Sequence, residues 1–482
     1  MPVTTYDVPT GRTGPVTRAL WRRFKGDVFL PGDAGYDQHV LGWNRTIESR
    51  PAAVAVAADP SDVRGAVLAA RDHDLPLAIQ ATGHGTVVAA DGALLLKTSS
   101  MADVEIDPLR RVARVGPGAV WADVNRAAAR YGLAGLAGRC GTVGVTGYTL
   151  GGGQSWLSRT FGFAADSVVS ADVVTADGTM VTATAGHYPG LFWALRGGGG
   201  NFGVVTSLEF RLYPVARVFA GMSLYPLDRA LDTLAAYRQW ALDEPDGMNT
   251  AVLLMRLPPS PLVPEPLRGR RVLAIRAFHH GKGGRRLLAP LLDAAGPPLL
   301  DGFATRSFPD ASAATNGPDA PPMANRQEVE MFRELPDDAL DAMVEAGAAD
   351  SPLAFVELRH WGGAMARPAP DAGPAGHRDV PFSVMAVAPY PTPDRTVVDG
   401  HLDRLAGRLR PYATGGTFLT LLTDPTRTRS AFTDANYARL VAVKRTWDPG
   451  NFFRLNHNIP PASPGGTVPA TQPESDQRRA RK

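Results

Sequence analysis

Two residues of reactive type stand in glycine turns. His84 lies in Gly83-His84-Gly85, and Cys140 in Arg139-Cys140-Gly141-Thr142-Val143-Gly144-Val145. Cys140 is the single cysteine of 482 residues, which excludes an intramolecular disulfide framework. It directly precedes the densest glycine stretch of the N-terminal half, 144–153. Imidazole and thiolate are both nucleophiles and metal ligands, and glycine lets a ligand come close to the main chain. A lone thiol and a histidine in two such turns point to one ligand held at two points. Taken singly, each has a plainer reading: a tight turn with a surface histidine, and a small buried thiol.

The segment Gln80-Ala81-Thr82-Gly83-His84-Gly85-Thr86 follows a predicted strand, and its small residues expose N–H groups of the kind that bind phosphate. No Gly-Lys-Ser/Thr follows, so it is not a Walker loop. No Gly-x-Gly-x-x-Gly opens the next helix, so it is not the Rossmann fingerprint either. Residues 143–153 hold five glycines in eleven positions, and Leu195-Arg196-Gly197-Gly198-Gly199-Gly200-Asn201-Phe202-Gly203 leads into a strand. Further along, Val356-Glu357-Leu358-Arg359-His360 alternates, which puts Glu357 and Arg359 on one face and His360 on the other. The Glu357 carboxylate is a candidate base, with a surface salt bridge to Arg359 as the plainer reading. Tyr390 is another candidate. His279 and His280 are adjacent strand residues facing opposite sides, with no Cys or His partners around them, so no metal site is expected.

The elements that must position these residues divide into two textures. Strands are predicted at 54–56, 77–79 and 112–115, with a helix opening at Asp59-Pro60 whose apolar positions are Val63, Ala66, Val67 and Ala70. A second helix is predicted over 119–131, with Val120, Val124 and Ala127 inward and Gly132 as its stop. A hairpin turns at Ala176-Asp177-Gly178-Thr179, and 204–212 alternates as a half-buried strand. From 219 onward, strands at 252–257, 272–278, 354–360 and 382–388 alternate with helices near 227–240, 282–293 and 395–409. That pattern suits an antiparallel sheet backed by helices. Residues 258–266 and 309–322 are proline-rich and read as surface loops.

This length predicts two domains. Hydrophobic content of 44%, charged content of 20% and a net charge of +3 describe an ordinary globular chain and give no reason to expect nucleic-acid or membrane partners. No apolar signal core or membrane span is expected, so the expected compartment is the cytoplasm. The bias toward Ala, Arg, Gly, Asp and Pro is that of a high-GC bacterial genome.

Together the three glycine stretches resemble the berberine bridge enzyme-like flavoproteins, in the vanillyl-alcohol oxidase (PCMH-type FAD-binding) superfamily. The resemblance runs from about 46 to 215. It returns in Asn436-Tyr437-Ala438-Arg439-Leu440 and in Asp448-Pro449-Gly450-Asn451-Phe452-Phe453-Arg454-Leu455-Asn456-His457-Asn458-Ile459-Pro460-Pro461. It implies an α+β fold: an FAD-binding domain over 46–216 with 15–45 packed on it, a substrate domain over 217–430, and a C-terminal segment over 431–461 returning to the flavin. A disordered tail is expected over 462–482.

The resemblance also implies FAD joined through its 8α-methyl carbon to His84 and through C6 to Cys140, with Arg139 favouring the thiolate. The cofactor wall it implies comprises Gln80, Ala81, Thr82, Gly83, Gly85, Val143, Gly144, Val145, Gly147, Tyr148, Gly151 and Gly152. Val169, Asp172 and Val174 would lie on the adenine side, and Asn456 and Asn458 would return to the flavin. Val143 stands where valine is associated with oxidases. Tyr148 stands where plant members have a histidine near the pyrimidine edge, and with Glu357 and Arg359 it completes the catalytic candidates. The family loop usually reads Arg-Ser-Gly-Gly-His where this chain has Gln80 to His84, so phosphate contacts must come mainly from backbone N–H groups.

The implied activity is oxidation of a small molecule, of secondary-metabolite type, with dioxygen as acceptor. Gly416-Thr417-Phe418-Leu419-Thr420-Leu421 departs from the family, because Phe418 and Leu421 replace two tyrosines that often serve as base. That departure leaves open a cyclase or isomerase without net redox turnover, and also a flavin-binding protein without catalysis.

Overall fold

The computed structural model describes residues 14, 17, 20, 24–261, 263–317 and 319–462. Most of the tail expected over 462–482 therefore lies outside the described residues, as do residues 15, 16, 18, 19 and 21–23 of the segment 15–45.

The N-terminal half holds two sheets. In the first, β1 (Asp27–Phe29), β2 (Ala53–Val56), β3 (Leu77–Gln80) and β4 (Leu94–Lys97) are ordered β1-β2-β4-β3. The β2, β3 and β4 strands run parallel, and β2 and β4 are buried along their whole length, hence their unbroken apolar runs. The helix Pro60–Asp72 crosses this sheet. Asp59 caps it by accepting the amides of Ser61 and Asp62, and Val63, Ala66, Val67 and Ala70 are buried as their spacing requires. The Asp62 carboxylate ties down the preceding chain by accepting the amides of Lys25, Gly26 and Ala58.

The second sheet is antiparallel: β5 (Val104–Asp107), β6 (Val112–Val115), β7 (Val168–Val174), β8 (Met180–Ala183) and β9 (Val204–Arg211), ordered β5-β6-β9-β7-β8. The expected hairpin is present as β7-β8, with Gly178 at φ +79° in its turn. One helix is rotated from expectation. It spans Trp121–Ala129 and buries Trp121, Val124, Asn125 and Ala128, while Val120 is its N-cap and Ala127 is only partly covered. The indole of Trp121 sets the inward face.

Eight strands build the second half: β10 (Arg217–Tyr225), β11 (Met248–Arg256), β12 (Arg271–His279), β13 (Leu300–Asp301), β14 (Ala304–Ser307), β15 (Asn325–Phe332), β16 (Phe355–His360) and β17 (Phe382–Pro389). Their order is β13-β10-β12-β11-β16-β17-β15, with β14 on β10, and every described pairing is antiparallel. Alternate residues divide the faces. Val252, Leu254, Ile275, Val356, Leu358 and Val384 pack against the helices Ala230–Trp240, Gly284–Ala295, Asp337–Ala346 and Thr396–Leu409. Ala251, Leu253, Ala274 and Phe278 turn the other way and pack with Ala134, Leu136, Trp156 and Leu157 of the first half. The fold is thus α+β, with an antiparallel sheet backed by helices on one side and by the N-terminal half on the other.

The proline-rich stretch 309–322 is not all loop. Phe308–Asn316 is a helix, because Pro309 falls at its first turn and the Ser307 hydroxyl accepts the Asp310 amide. The chain ends by returning to the first half. Leu440 and Trp447 of the helix Asp434–Trp447, with Ile459 beyond it, join the core beside β7 and β9.

Candidate active site

The β3 strand delivers Gln80 into the first glycine turn. The Gln80 side chain is buried, accepting from Lys97 Nζ at 2.5 Å and donating to Thr86 Oγ1 at 3.1 Å. Gly83 has φ +77°, and a Cβ there would come within 2.5 Å of Gly42 Cα. Gly83→Ala is therefore expected to combine about 1–3 kcal/mol of backbone strain with a main-chain clash. A lowered melting temperature and depleted cofactor in the purified variant would check it.

His84 stacks on Trp43 with ring centroids 4.6 Å apart, and its Nδ1 lies 2.9 Å from Thr82 Oγ1. Burial lowers its pKa to about 4, against an opposing pull from Asp319, so the imidazole is neutral at physiological pH. Across the second turn, Thr142 Oγ1 lies 3.0 Å from Cys140 Sγ and 3.4 Å from His84 Nε2. One hydroxyl thus touches both reactive side chains, which sequence placed 56 residues apart.

Arg139 does not activate the thiol. Its guanidinium points into the eight-stranded sheet, donating to Glu357 Oε2 at 2.9 Å and lying 3.2 Å from Met385 Sδ. The Cys140 pKa is raised, chiefly by burial, with the Thr142 hydrogen bond opposing. Asp319, in the loop after the helix Phe308–Asn316, clasps the same turn from the other half: both its carboxylate oxygens accept the Gly141 amide.

The glycine stretch 143–153 contains a short helix, Val145–Leu150, capped at Gly144. Gly152 and Gly153 both have positive φ, and a Cβ at either would strike the ring of Phe418 or of Tyr148. Phe418 is a buried hydrocarbon ring packed on Phe163 and Trp361. Gly197–Gly203 is laced to the C-terminal segment. Asn201 donates to the carbonyls of Gly198 and His457 and accepts the Ile459 amide, while Asn456 donates to the Gly200 carbonyl.

Glu357 and Arg359 do share a face, but it is buried, not the expected sheet surface. Glu357 bonds Arg139 and Arg359 and lies 3.6 Å from Arg276. Burial alone would raise its pKa, but Arg139, then Arg359 and Arg276, hold it at about 2. Its ionised form is thus favoured, and its oxygens are taken up by Arg139 and Arg359. His360 faces the helices, paired with Glu244 at 2.8 Å, and Tyr390 donates to Asp399.

Two regions match family models: residues 51–184 the FAD binding domain, and 418–460 the berberine and berberine-like segment. (R)-6-hydroxynicotine oxidase of Paenarthrobacter nicotinovorans is 29% identical over 91% of this chain and 97% of its own length. The chain therefore carries an FAD binding domain and a berberine-like segment, and its relatives are FAD-linked oxidases. The crystal structure of 6-hydroxy-D-nicotine oxidase from Arthrobacter nicotinovorans superposes with a TM-score of 0.80 at 27% identity, covering 90% of this chain and 98% of the other. Berberine bridge enzyme from Eschscholzia californica shares the fold at TM-score 0.79 and 22% identity, covering 93% and 99%.

The residues present fit the FAD of that family. Thr146 Oγ1, Thr149 Oγ1, Asn456 Oδ1 and Asn458 Oδ1 are buried without hydrogen-bond partners. A Cβ at Gly85 or Gly147 would meet open space. Such orphaned groups call for a polar occupant. Val169, Asp172 and Val174 are not gathered with these residues. Asp172 faces outward to Arg114 and Thr182, while its neighbours Ala171 and Val173 face the core with Val145 and Leu150. Val169 lines a separate cleft of about 470 Å³ with Arg110 and Arg211, and Val174 is fully buried against the first sheet.

Sequence reasoning missed Thr142, Asp319, Arg276 and Asn201 as members of the site. Thr142 and Asn201 lay inside quoted motifs. Asp319 and Arg276 carry no local signal. Among the described residues no group of three or more His, Cys, Asp or Glu side chains is placed to hold a metal, and no helix is long and apolar enough to cross a membrane.

Proposed function

We propose that this FAD-dependent oxidase is covalently flavinylated at His84 and Cys140, and that it oxidises a small molecule, of secondary-metabolite type, with dioxygen as acceptor. The observation that carries the attachment is the Thr142 hydroxyl shared between His84 Nε2 and Cys140 Sγ. Bound FAD supplies the hydride acceptor and a route for the electrons to dioxygen, released as hydrogen peroxide. The main chain of 81–85 and of 143–152 would hold it, with Gln80 fixed from behind by Lys97. The free side-chain oxygens of Asn456 and Asn458 would meet it from the C-terminal segment. His84 contributes an unprotonated ring nitrogen, because burial keeps the imidazole neutral.

The Tyr148 hydroxyl is a donor without a partner, and burial pushes its pKa above the usual phenol range, so it stays protonated. Arg359 and Arg139 act as donors oriented by ionised Glu357. None of these takes up a proton at neutral pH, and Phe418 and Leu421 bear no hydroxyl. That absence supports a second reading, a cyclase or isomerase without net redox turnover.

Anaerobic mixing with candidate substrates separates the two. An oxidase bleaches the flavin absorbance in step with product, and admitted oxygen restores it with one hydrogen peroxide per turnover. Product formed with the absorbance intact identifies the cyclase.

A further inference from the structure

The charge cluster under Cys140 is unbalanced. Glu357 accepts from Arg139 Nη1 at 2.9 Å and from Arg359 Nε at 3.1 Å, and it lies 3.6 Å from Arg276 Nη1. One carboxylate against three guanidinium groups leaves two positive charges in excess. The side chains of Arg276, Glu357 and Arg359 are at most 6% exposed. Desolvated charge persists only when paired and hydrogen-bonded. The remaining neighbours are neutral. Arg359 donates to Gln154 Oε1 and stacks 3.9 Å over Trp156, and Arg139 meets Met385 Sδ.

Four donors on and around these side chains are left over. Arg359 Nη2, Arg276 Nε, Gln154 Nε2 and Tyr148 Oη are buried and without partners. Arg139, its side chain 26% exposed, opens the cluster toward the glycine turn that bears Cys140. Guanidinium forks match a planar carboxylate in two parallel hydrogen bonds, and a hydroxyl and an amide N–H complete its remaining lone pairs.

The geometry points to an anion site: the substrate is a small organic acid whose carboxylate is bound by Arg139, Arg276 and Arg359, with Tyr148 and Gln154 as further donors. Arg276 reaches it from β12, Glu357 and Arg359 from β16, and Arg139 from the first half, so the site is complete only where the two halves meet. Glu357 orients the forks and keeps them charged. The inference rests on the oxidase reading in taking this face of the sheet as the substrate side.

The test is titration of the holoenzyme with benzoate and with benzamide, its neutral counterpart of similar shape, followed by calorimetry and by the flavin spectrum. Benzoate is expected to bind at least about tenfold more tightly than benzamide. Arg139→Gln and Arg359→Gln are each expected to abolish that preference, with Arg139→Lys restoring part of it. Equal binding of the two probes, or no benzoate binding, overturns the proposal. So does a shift in flavin reduction potential in the arginine variants with the benzoate preference intact, which assigns the cluster to the flavin instead. Flavin content and peroxide release are read separately on the same wild-type sample, so a failure of the oxidase reading is distinguishable from a failure of the anion site.

Discussion

Denatured wild-type protein is expected to carry the mass of FAD, as are His84→Ala and Cys140→Ala, whereas the double variant is expected to carry none. The two proposed attachments are chemically unequal. His84 is unprotonated above about pH 4, so its nitrogen lone pair is fully available at neutral pH. Cys140 reacts as thiolate, and burial has raised its pKa above the ordinary thiol value of 9.0. In His84→Ala, where the sulfur acts alone, incorporation of FAD into apoprotein is therefore expected to quicken about tenfold for each pH unit between 7 and 9, following the thiolate fraction. In Cys140→Ala it is expected to be nearly flat over that range. Peptide mapping that finds the same single linkage in wild type and Cys140→Ala would remove the second bond. FAD on the denatured double variant would remove both.

The inequality also shows where sequence reading stopped. His84 and Cys140 were legible because a glycine turn is local: its residue types constrain the backbone whatever packs on it. The helix from Pro60 was legible for the same reason, since an Asp-Pro start and a 3.6-residue period are local signals. Arg139 was misread as a neighbour acting on Cys140. Adjacent in sequence, the two side chains diverge, and the guanidinium is claimed by Glu357, 218 residues away.

Glu357 and Arg359 could be placed on one face by alternation. That the face is buried, and that Arg276 joins it, depends on β11 lying between β12 and β16 in the sheet. Register between strands so distant in sequence leaves no mark on either one. The three arginines around Glu357 were hidden for that reason: a carboxylate with one arginine nearby and a carboxylate among three look alike in a pentapeptide. The direction of Asp172 was likewise not legible. Bulges in the β7–β9 pairing shift which residues face inward, so the outward carboxylate meets Arg114 and Thr182.

The largest stability effect is expected from a residue far from any reactive atom. Lys444 is fully buried in the helix Asp434–Trp447, which otherwise reads as an ordinary surface helix with its lysine in the last turn. Its ammonium is 2.6 Å from Asp448 and donates to the carbonyls of Asn201 and Phe453 at 2.8 and 2.9 Å. Burial lowers its pKa, and the Asp448 charge opposes that loss. Asp448 in turn accepts the amides of Phe452 and Phe453.

Lys444→Met keeps the length of the side chain and removes the charge. It strands a buried carboxylate and two carbonyls at once, which is expected to cost about 3–5 kcal/mol in denaturant-unfolding measurements. Removing both charges in Lys444→Met/Asp448→Asn is expected to recover part of that loss, because the uncompensated charge carries most of the penalty. If the single variant unfolds within about 1 kcal/mol of wild type, the pair is not holding the segment. The expected loss reaches the site through geometry. Asn201 binds His457 and Ile459, so an ammonium anchored on the Asn201 carbonyl fixes the glycine turn 197–203 and the segment bearing Asn456 and Asn458 as one body.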